Sequence, residues 1–266
     1  GGSLRGVGRA MDVTNRFVLD FALRFAAERP GARLLDYGCG SGAVVAEGRA
    51  RGLDYVGADA FYGGSEARSE AARSGLLGSV VFPMDEGRIP FGDGCFDLVT
   101  NNQVLEHVAD LDATLGEICR VLKPHGVLLS IFPSRDVLRE GHIGIPFSHW
   151  FPRDSRARFY YTWMLRSLGL GLWKEQAPTC RAWAEAKLRW LDAYVRYRTR
   201  QEIFRAFDER FTTERRETDY IRYRLCDSRR LAPLARLLDL PGVPPLAEAL
   251  FRKLAFLVLV SRRKTD

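Results

Sequence analysis

With 266 residues, 46% of them hydrophobic and 27% charged, the chain can fold as one large domain or as a domain with a sizeable insertion. No apolar run approaches the roughly 20 residues that a bilayer-spanning helix needs, and the start, Gly1-Gly2-Ser3, carries no apolar leader. The formal net charge of +7 is compatible with an anionic partner, yet no dense Lys/Arg block adjoins a nucleic-acid motif, so solvated arginine-rich faces suffice and no nucleic-acid partner is expected.

In chain order, residues 11–29 read as an amphipathic helix, with Phe17, Phe21 and Phe25 on one stripe and Val18 and Ala22 beside it. Asp12 or Thr14 is placed to cap its start and Pro30-Gly31 to end it. We therefore expect residues 1–30 to form a helical cap packed over a sheet edge. Residues 32–36 form a first strand that runs into Asp36-Tyr37-Gly38-Cys39-Gly40-Ser41-Gly42 and then a helix over 43–50. Glycines at this spacing allow a tight turn and a close approach of backbone to ligand, and the helix behind them points free N–H groups at whatever sits there. Gly38, Gly40 and Ala43 also satisfy a dinucleotide-binding turn. The acid at Asp36 weighs against an anionic pyrophosphate and toward a cationic ligand.

Leu53 to Asp59 reads as strand two and ends in an acid at a βαβ distance past Gly40, with Ala60 beside it. That places a carboxylate next to a ribose. A helix over 64–77, strand three over 79–82, the run Met84-Asp85-Glu86 and Ile89-Pro90-Phe91, a turn at 92–94 and strand four over 95–100 follow. After strand four comes Asn101-Asn102-Gln103-Val104-Leu105-Glu106-His107-Val108. A helix over 112–123, with Lys123 at its negative end, a turn at 124–126 and strand five over 127–132 complete a βα alternation. Such an order folds as a parallel sheet with helices on both faces and a ligand crevice at the strand ends.

Asp36-x-Gly38-x-Gly40-x-Gly42, the run from Asp85 through Ile89-Pro90-Phe91 to Phe96-Asp97-Leu98-Val99, and Asn102-Gln103-Val104-Leu105-Glu106-His107-Val108 jointly resemble class I S-adenosylmethionine-dependent methyltransferases. The likeness is to the small-molecule, ubiquinone-type (methyltransferase-11-like) branch and covers about residues 30–134. It implies a Rossmann-like, doubly wound, mostly parallel seven-stranded sheet. The implied cofactor is S-adenosyl-L-methionine, leaving as S-adenosyl-L-homocysteine, with a small molecule, or a small lipid or glycan, as methyl acceptor. It implies that Asp36, Gly38, Cys39, Gly40 and Gly42 form the cofactor turn and that Asp59 and Ala60 take the ribose. Asp85, between Met84 and Glu86, would receive the adenine amino group. Asn101, Asn102 and Gln103 would line the methionine end, and His107 is either a base or a packing residue.

Beyond strand five the likeness weakens. Residues 139–152 are too rich in Gly and Pro for a regular element and can reach the cofactor mouth. Their His142 and His149 are candidate general bases for a hydroxyl acceptor. Residues 155–217 read as mostly helical and aromatic, so that 135–220 forms a substrate-side loop and helical insertion after strand five, and 31–134 the cofactor core. Residues 221–266 hold helices, a Pro-rich connector at 240–245, a helix over 246–253 and a closing strand; a membrane-dipping segment over 250–264 is the lesser alternative. Five scattered cysteines, at 39, 95, 119, 180 and 226, lack metal-ligand spacing and fit a reduced, cytoplasmic protein, and no metal ligand set is legible. The rival readings are a NAD(P)-type oxidoreductase on the same glycine turn, an RNA-modifying methyltransferase and a non-catalytic cofactor-binding protein.

Overall fold

The computed structural model describes residues 11–62 and 66–265. The expectations that fall on Gly1-Gly2-Ser3, on the start of the N-terminal cap and on the first residues of the 64–77 helix lie outside them. Helix α1 (Val13–Glu28) is followed by β1 (Arg33–Tyr37), α2 (Ala43–Ala50), β2 (Asp54–Asp59), α3 (Ala67–Arg73), β3 (Val81–Pro83), β4 (Phe96–Asn102), α4 (Leu111–Val121) and β5 (Leu122–Phe132). Helices α5 (Arg156–Ser167), α6 (Cys180–Tyr194) and α7 (Arg200–Asp208) then lead to β6 (Phe211–Arg215), α8 (Glu217–Cys226), α9 (Val243–Leu254) and β7 (Leu257–Arg263).

The seven strands form one sheet in the order β3-β2-β1-β4-β5-β7-β6. β3, β2, β1, β4 and β5 are parallel, and β7 runs antiparallel between β5 and β6. Side chains alternate across the sheet because successive Cβ atoms point to opposite faces. Leu35, Val56, Val99 and Leu128 pack under α4 and α7; their neighbours Leu34, Tyr55, Leu98 and Leu129 pack under α1 and α8. Each inner strand is therefore apolar on both faces, as a parallel sheet covered by helices requires. Helix α1 is capped by Asp12, whose carboxylate accepts from Thr14 N (2.8 Å) and Asn15 N (3.1 Å), and buries Phe17, Val18, Ala22 and Phe25.

Several boundaries differ from the sequence reading for local reasons. The helix expected to 123 ends at Val121 because Pro124 disfavours helical geometry in the residue before it. Lys123 thus lies in β5 and binds Asp97 (2.7 Å) instead of a helix end. Helix α3 stops at Arg73 ahead of Gly75 and Gly78, both in the left-handed region. Pro244 and Pro245 are not a connector but sit in the first turn of α9, where a missing N–H costs nothing. The expected insertion boundary at 220 moves back, since Phe211–Arg215 pairs with β7 and Tyr220 packs against Phe17. Among the described residues no helix is long and apolar enough to cross a membrane.

The insertion has its own core, in which Trp183, Leu188 and Leu191 of α6 meet Ile143 and Ile145 of the loop after β5. Trp183 is fully buried and its Nε1–H donates to the Leu172 and Trp173 carbonyls (3.0 and 3.1 Å). Trp183→Ala is expected to cost about 3–5 kcal/mol in urea unfolding. A loss below about 1 kcal/mol would show that this second core adds little to cooperative stability.

Candidate functional site

The turn after β1 sits above a buried polar chain. Tyr55 donates to the Thr100 hydroxyl (2.6 Å), which donates to Asp36 Oδ1 (2.8 Å). Burial, reinforced by the charge of Asp59 and only partly opposed by the Thr100 hydrogen bond, pushes the Asp36 carboxyl up to about 7. Gly38 has φ +75°, and a Cβ there would lie 2.4 Å from Val104, so only glycine lets the turn close on the segment after β4. Gly40, at φ +56°, faces open space, and its N–H donates to Asp59 Oδ2 (2.8 Å). The other Asp59 oxygen accepts from Phe61 N (2.7 Å). Two backbone donors therefore hold this carboxylate at the strand ends of β1 and β2, leaving lone pairs for hydroxyl groups.

A cleft of about 740 Å³ opens over this point, a size suited to a ligand the size of a nucleoside derivative. Gly38, Gly40, Asp59, Ala60 and Tyr62 form one side, and Met84, Glu86, Gly87 and Arg88 another. Gln103, Val104, His107 and Val108 close it from the segment after β4, and Thr114 and Glu117 of α4 lie at its floor. Glu117 accepts from Ile89 N (2.8 Å) and from Arg120, which in turn donates to the Phe91 and Ile89 carbonyls. This network pins the Ile89-Pro90-Phe91 block to α4. An adjoining pocket of about 280 Å³ is lined by Asp36, Cys39, Ser41, Asn15 and Asn102, with Asn102 donating to Asn15 (2.8 Å).

The end of the insertion straps the segment after β4. Arg196 N donates to Glu106 O (2.7 Å), His107 Nδ1 meets Tyr194 O (2.9 Å), and Arg198 donates to the Leu105, Val108 and Ala109 carbonyls. A carbonyl only accepts, so Nδ1 of His107 carries the proton and the neutral ring has its lone pair on Nε2. Burial holds the His107 pKa below its ordinary value, with the Tyr194 carbonyl opposing in part. Tyr62 stacks over the ring at 6.1 Å.

Behind His107 lies a buried cluster. Burial alone would raise the Glu140 carboxyl, but hydrogen bonds from His142 Nδ1 (2.7 Å), Tyr197 OH (2.6 Å) and Ile143 N (2.6 Å) bring it below the usual range. The same contact raises His142 against the opposing effect of its burial. Glu106 is buried with neither carboxylate oxygen hydrogen-bonded, and desolvation pushes it up to about 7. One ligand-capable atom each of Glu106, His107 and His142 lies within 4.8 Å of the others, a geometry that can hold a cation. Sequence spacing showed no such set because His142 arrives from the loop after β5.

The structure thus gathers Gly38, Gly40, Asp59, Ala60, Met84, Glu86, Gln103 and His107 around one cleft. Asp36, Cys39 and Asn102 line the adjoining pocket, while Gly42 caps α2 behind it. Asp85 does not line the cleft: it is exposed and its carbonyl accepts from Arg88 N (2.8 Å). Asn101 is turned into the interior, donating to the Ser130 hydroxyl (2.9 Å). Neither His142 nor His149 lines the cleft. His149 is held by Nε2 to Arg135 O (3.1 Å) and packs tilted against Tyr197, ring centroids 4.8 Å apart, beside a separate small pocket. Tyr62, Thr114, Glu117 and Arg198 were not legible as site residues, since no motif spacing marks them.

The fold is that of a class I, S-adenosylmethionine-dependent methyltransferase. The chain belongs to the methyltransferase-domain family, whose profile matches residues 10–210. It is similar to ubiquinone biosynthesis O-methyltransferases, for example those of Sinorhizobium medicae (33% identical, over 47% of this chain and 52% of that protein) and Ruegeria pomeroyi (40%, over 43% and 47%). It is also similar to the demethylmenaquinone methyltransferase of Parafrankia (36% identical, over 50% of this chain and 62% of that protein). The chain spans about half the length of the curated relatives it matches. Among solved structures, the [4+2]-cyclase SpnF shares the fold at 18% identity and a TM-score of 0.50, over 98% of this chain and 86% of that one.

Asp36 supplies a pH test. Its folded pKa lies above the ordinary 3.8, so the folded chain holds a proton that the unfolded chain has released. Stability of the ligand-free protein should therefore fall as pH rises from about 4 to about 7 and level off above. Asp36→Asn is expected to flatten this fall in thermal melts and to be more stable than the parent at pH 8; identical slopes for the two would refute the assignment.

Proposed function

We propose that this chain moves a methyl group to a hydroxyl oxygen of a small, largely apolar acceptor held in the cleft, with His107 receiving the acceptor's proton. The observation that carries this reading is the state of His107: neutral, with its Nδ1 proton committed to Tyr194 O and its Nε2 left without one, in a residue that lines the same cleft as Gly40 and Asp59. A base in that state is ready at neutral pH. The sulfonium cofactor supplies an electrophilic methyl group. What the chain must add is placement and exclusion of water, worth on the order of 7–11 kcal/mol when two reactants are well oriented.

The fit of the cofactor rests on Asp59, whose free lone pairs suit paired ribose hydroxyls, and on Gly40, where no side chain intrudes into the cleft. Met84, Glu86 and Gly87 offer an apolar stem and backbone for the adenine side, in place of the exposed Asp85. The acceptor side is walled by Tyr62, Tyr194, Val104 and Val108, surfaces suited to a flat ring. The quinone-pathway names of the relatives agree with such an acceptor. In this reading residues 135–210, through the strap from Tyr194 to Arg198, form the unit that selects it.

Calorimetry with S-adenosylmethionine and S-adenosylhomocysteine tests the first half. Asp59→Ala should weaken both roughly 10–100-fold, the value of a charge-assisted hydrogen bond or two. Incubating the protein and cofactor with cell extract, and finding by mass spectrometry the compound that gains one CH2, identifies the acceptor. On that compound His107→Ala should slow turnover about 10²–10⁴-fold while leaving cofactor affinity unchanged. No heat with either cofactor form would refute the reading; full activity of the His107 variant would remove the base.

A further inference from the structure

The C-terminal region carries an apolar surface that the cleft does not use. A 3₁₀ helix spans Ala232–Asp239, and three residues per turn places Leu231, Leu234, Leu237 and Leu240 along one edge. All four are about half exposed, 45–51%, because the helix packs through Ala235 and Leu238 instead. On α9, Leu246, Leu250 and Leu254 recur every fourth residue and are 58–71% exposed. The two helices pack against each other and against α8. A soluble monomer rarely leaves so many leucines in water without a purpose.

The charges around the stripes are one-sided. The acids are all answered within the chain: Asp227 by Arg16 (2.6 Å), Asp239 by Arg222 (2.8 Å), and Glu248 by Thr218 (2.6 Å) and Arg252 (3.4 Å). Among the described residues, Arg229, Arg230, Arg236 and Lys253 have no acidic partner. A second copy of the chain docked through this face would bring like charges together. An anionic interface would neutralise them while taking up the leucines.

We propose that the segment from Arg229 to Leu254 docks on the surface of a membrane containing anionic lipid, lying in the interface and not spanning it. Apolar side chains set beside unpaired cations are what interfacial binding needs, the first entering the acyl boundary and the second meeting the negative surface potential. The docked segment is tied to the insertion, since Leu138 N donates to Lys253 O (2.8 Å) at the end of α9.

The test is co-sedimentation of the full chain with vesicles of phosphatidylcholine alone or of phosphatidylcholine mixed with phosphatidylglycerol. The chain should bind the mixed vesicles and not the neutral ones, and added salt should release it. R229Q with R230Q should lower the partition coefficient roughly thirtyfold, about fivefold per charge. L246S with L250S should lower it further than either arginine change alone, with calorimetric S-adenosylmethionine affinity intact as the sign of a folded protein. Equal binding to neutral vesicles, or no binding to either, overturns the proposal. So does a dimer in sedimentation velocity that the leucine changes dissociate, which would make this face a contact between copies.

Discussion

The site depends first on the hydrogen bond from Gly40 N–H to the Asp59 carboxylate. It joins the turn after β1 to the end of β2, and the second carboxylate oxygen is fixed by Phe61 N. A carboxylate at a strand end would otherwise turn toward water. Held by two backbone donors it faces the cleft, with charge-assisted bonds roughly twice as strong as neutral ones. The parallel pairing of β1 with β2 and β4 then brings Gly38, Asp59 and Gln103 to the same edge of the sheet.

A second constraint comes from the insertion. Its last residues do not form a separate lid; they hydrogen-bond the backbone of the segment after β4 at Leu105, Glu106, Val108 and Ala109. The buried carbonyls of Leu105 and Glu106 would be unsatisfied acceptors without such partners. The same strap sets the tautomer of His107 through Tyr194 O. Acceptor-side chemistry and the shape of the insertion are therefore one structural problem. Changes in α6 can reach the cleft without touching a ligand.

The buried cluster of Glu106, Glu140, His142 and Tyr197 adds a third feature. Glu140 is fully satisfied by hydrogen bonds, whereas Glu106 has none on its carboxylate. Two carboxylates so close in the fold are thus pushed in opposite directions, one below its usual range by donors and one up to about 7 by dry surroundings. Asymmetry of this kind keeps the charge on Glu140 while Glu106 takes up a proton as the pH falls through about 7.

What the sequence determined by itself was the sheet and the glycine turn after its first strand. Consecutive apolar residues at 34–35, 55–56 and 98–99, broken by turn residues, specify strands covered on both faces, and glycines at 38 and 40 with an acid at 59 specify a tight turn and a carboxylate at neighbouring strand ends. These features are local or are set by one βαβ unit, so period and spacing reveal them. What only the tertiary structure decided was which side chains line the cleft. Asp85 and Asn101 carry the right chemistry at the right spacing, yet one lies in solvent and the other bonds Ser130 inside. His107 reaches the cleft wall, while His142 and His149 stay behind it, because Tyr194–Arg198 arrive from nearly ninety residues away. Contacts between segments so distant leave no periodic mark on the sequence; they follow from how two separate apolar cores pack against one sheet.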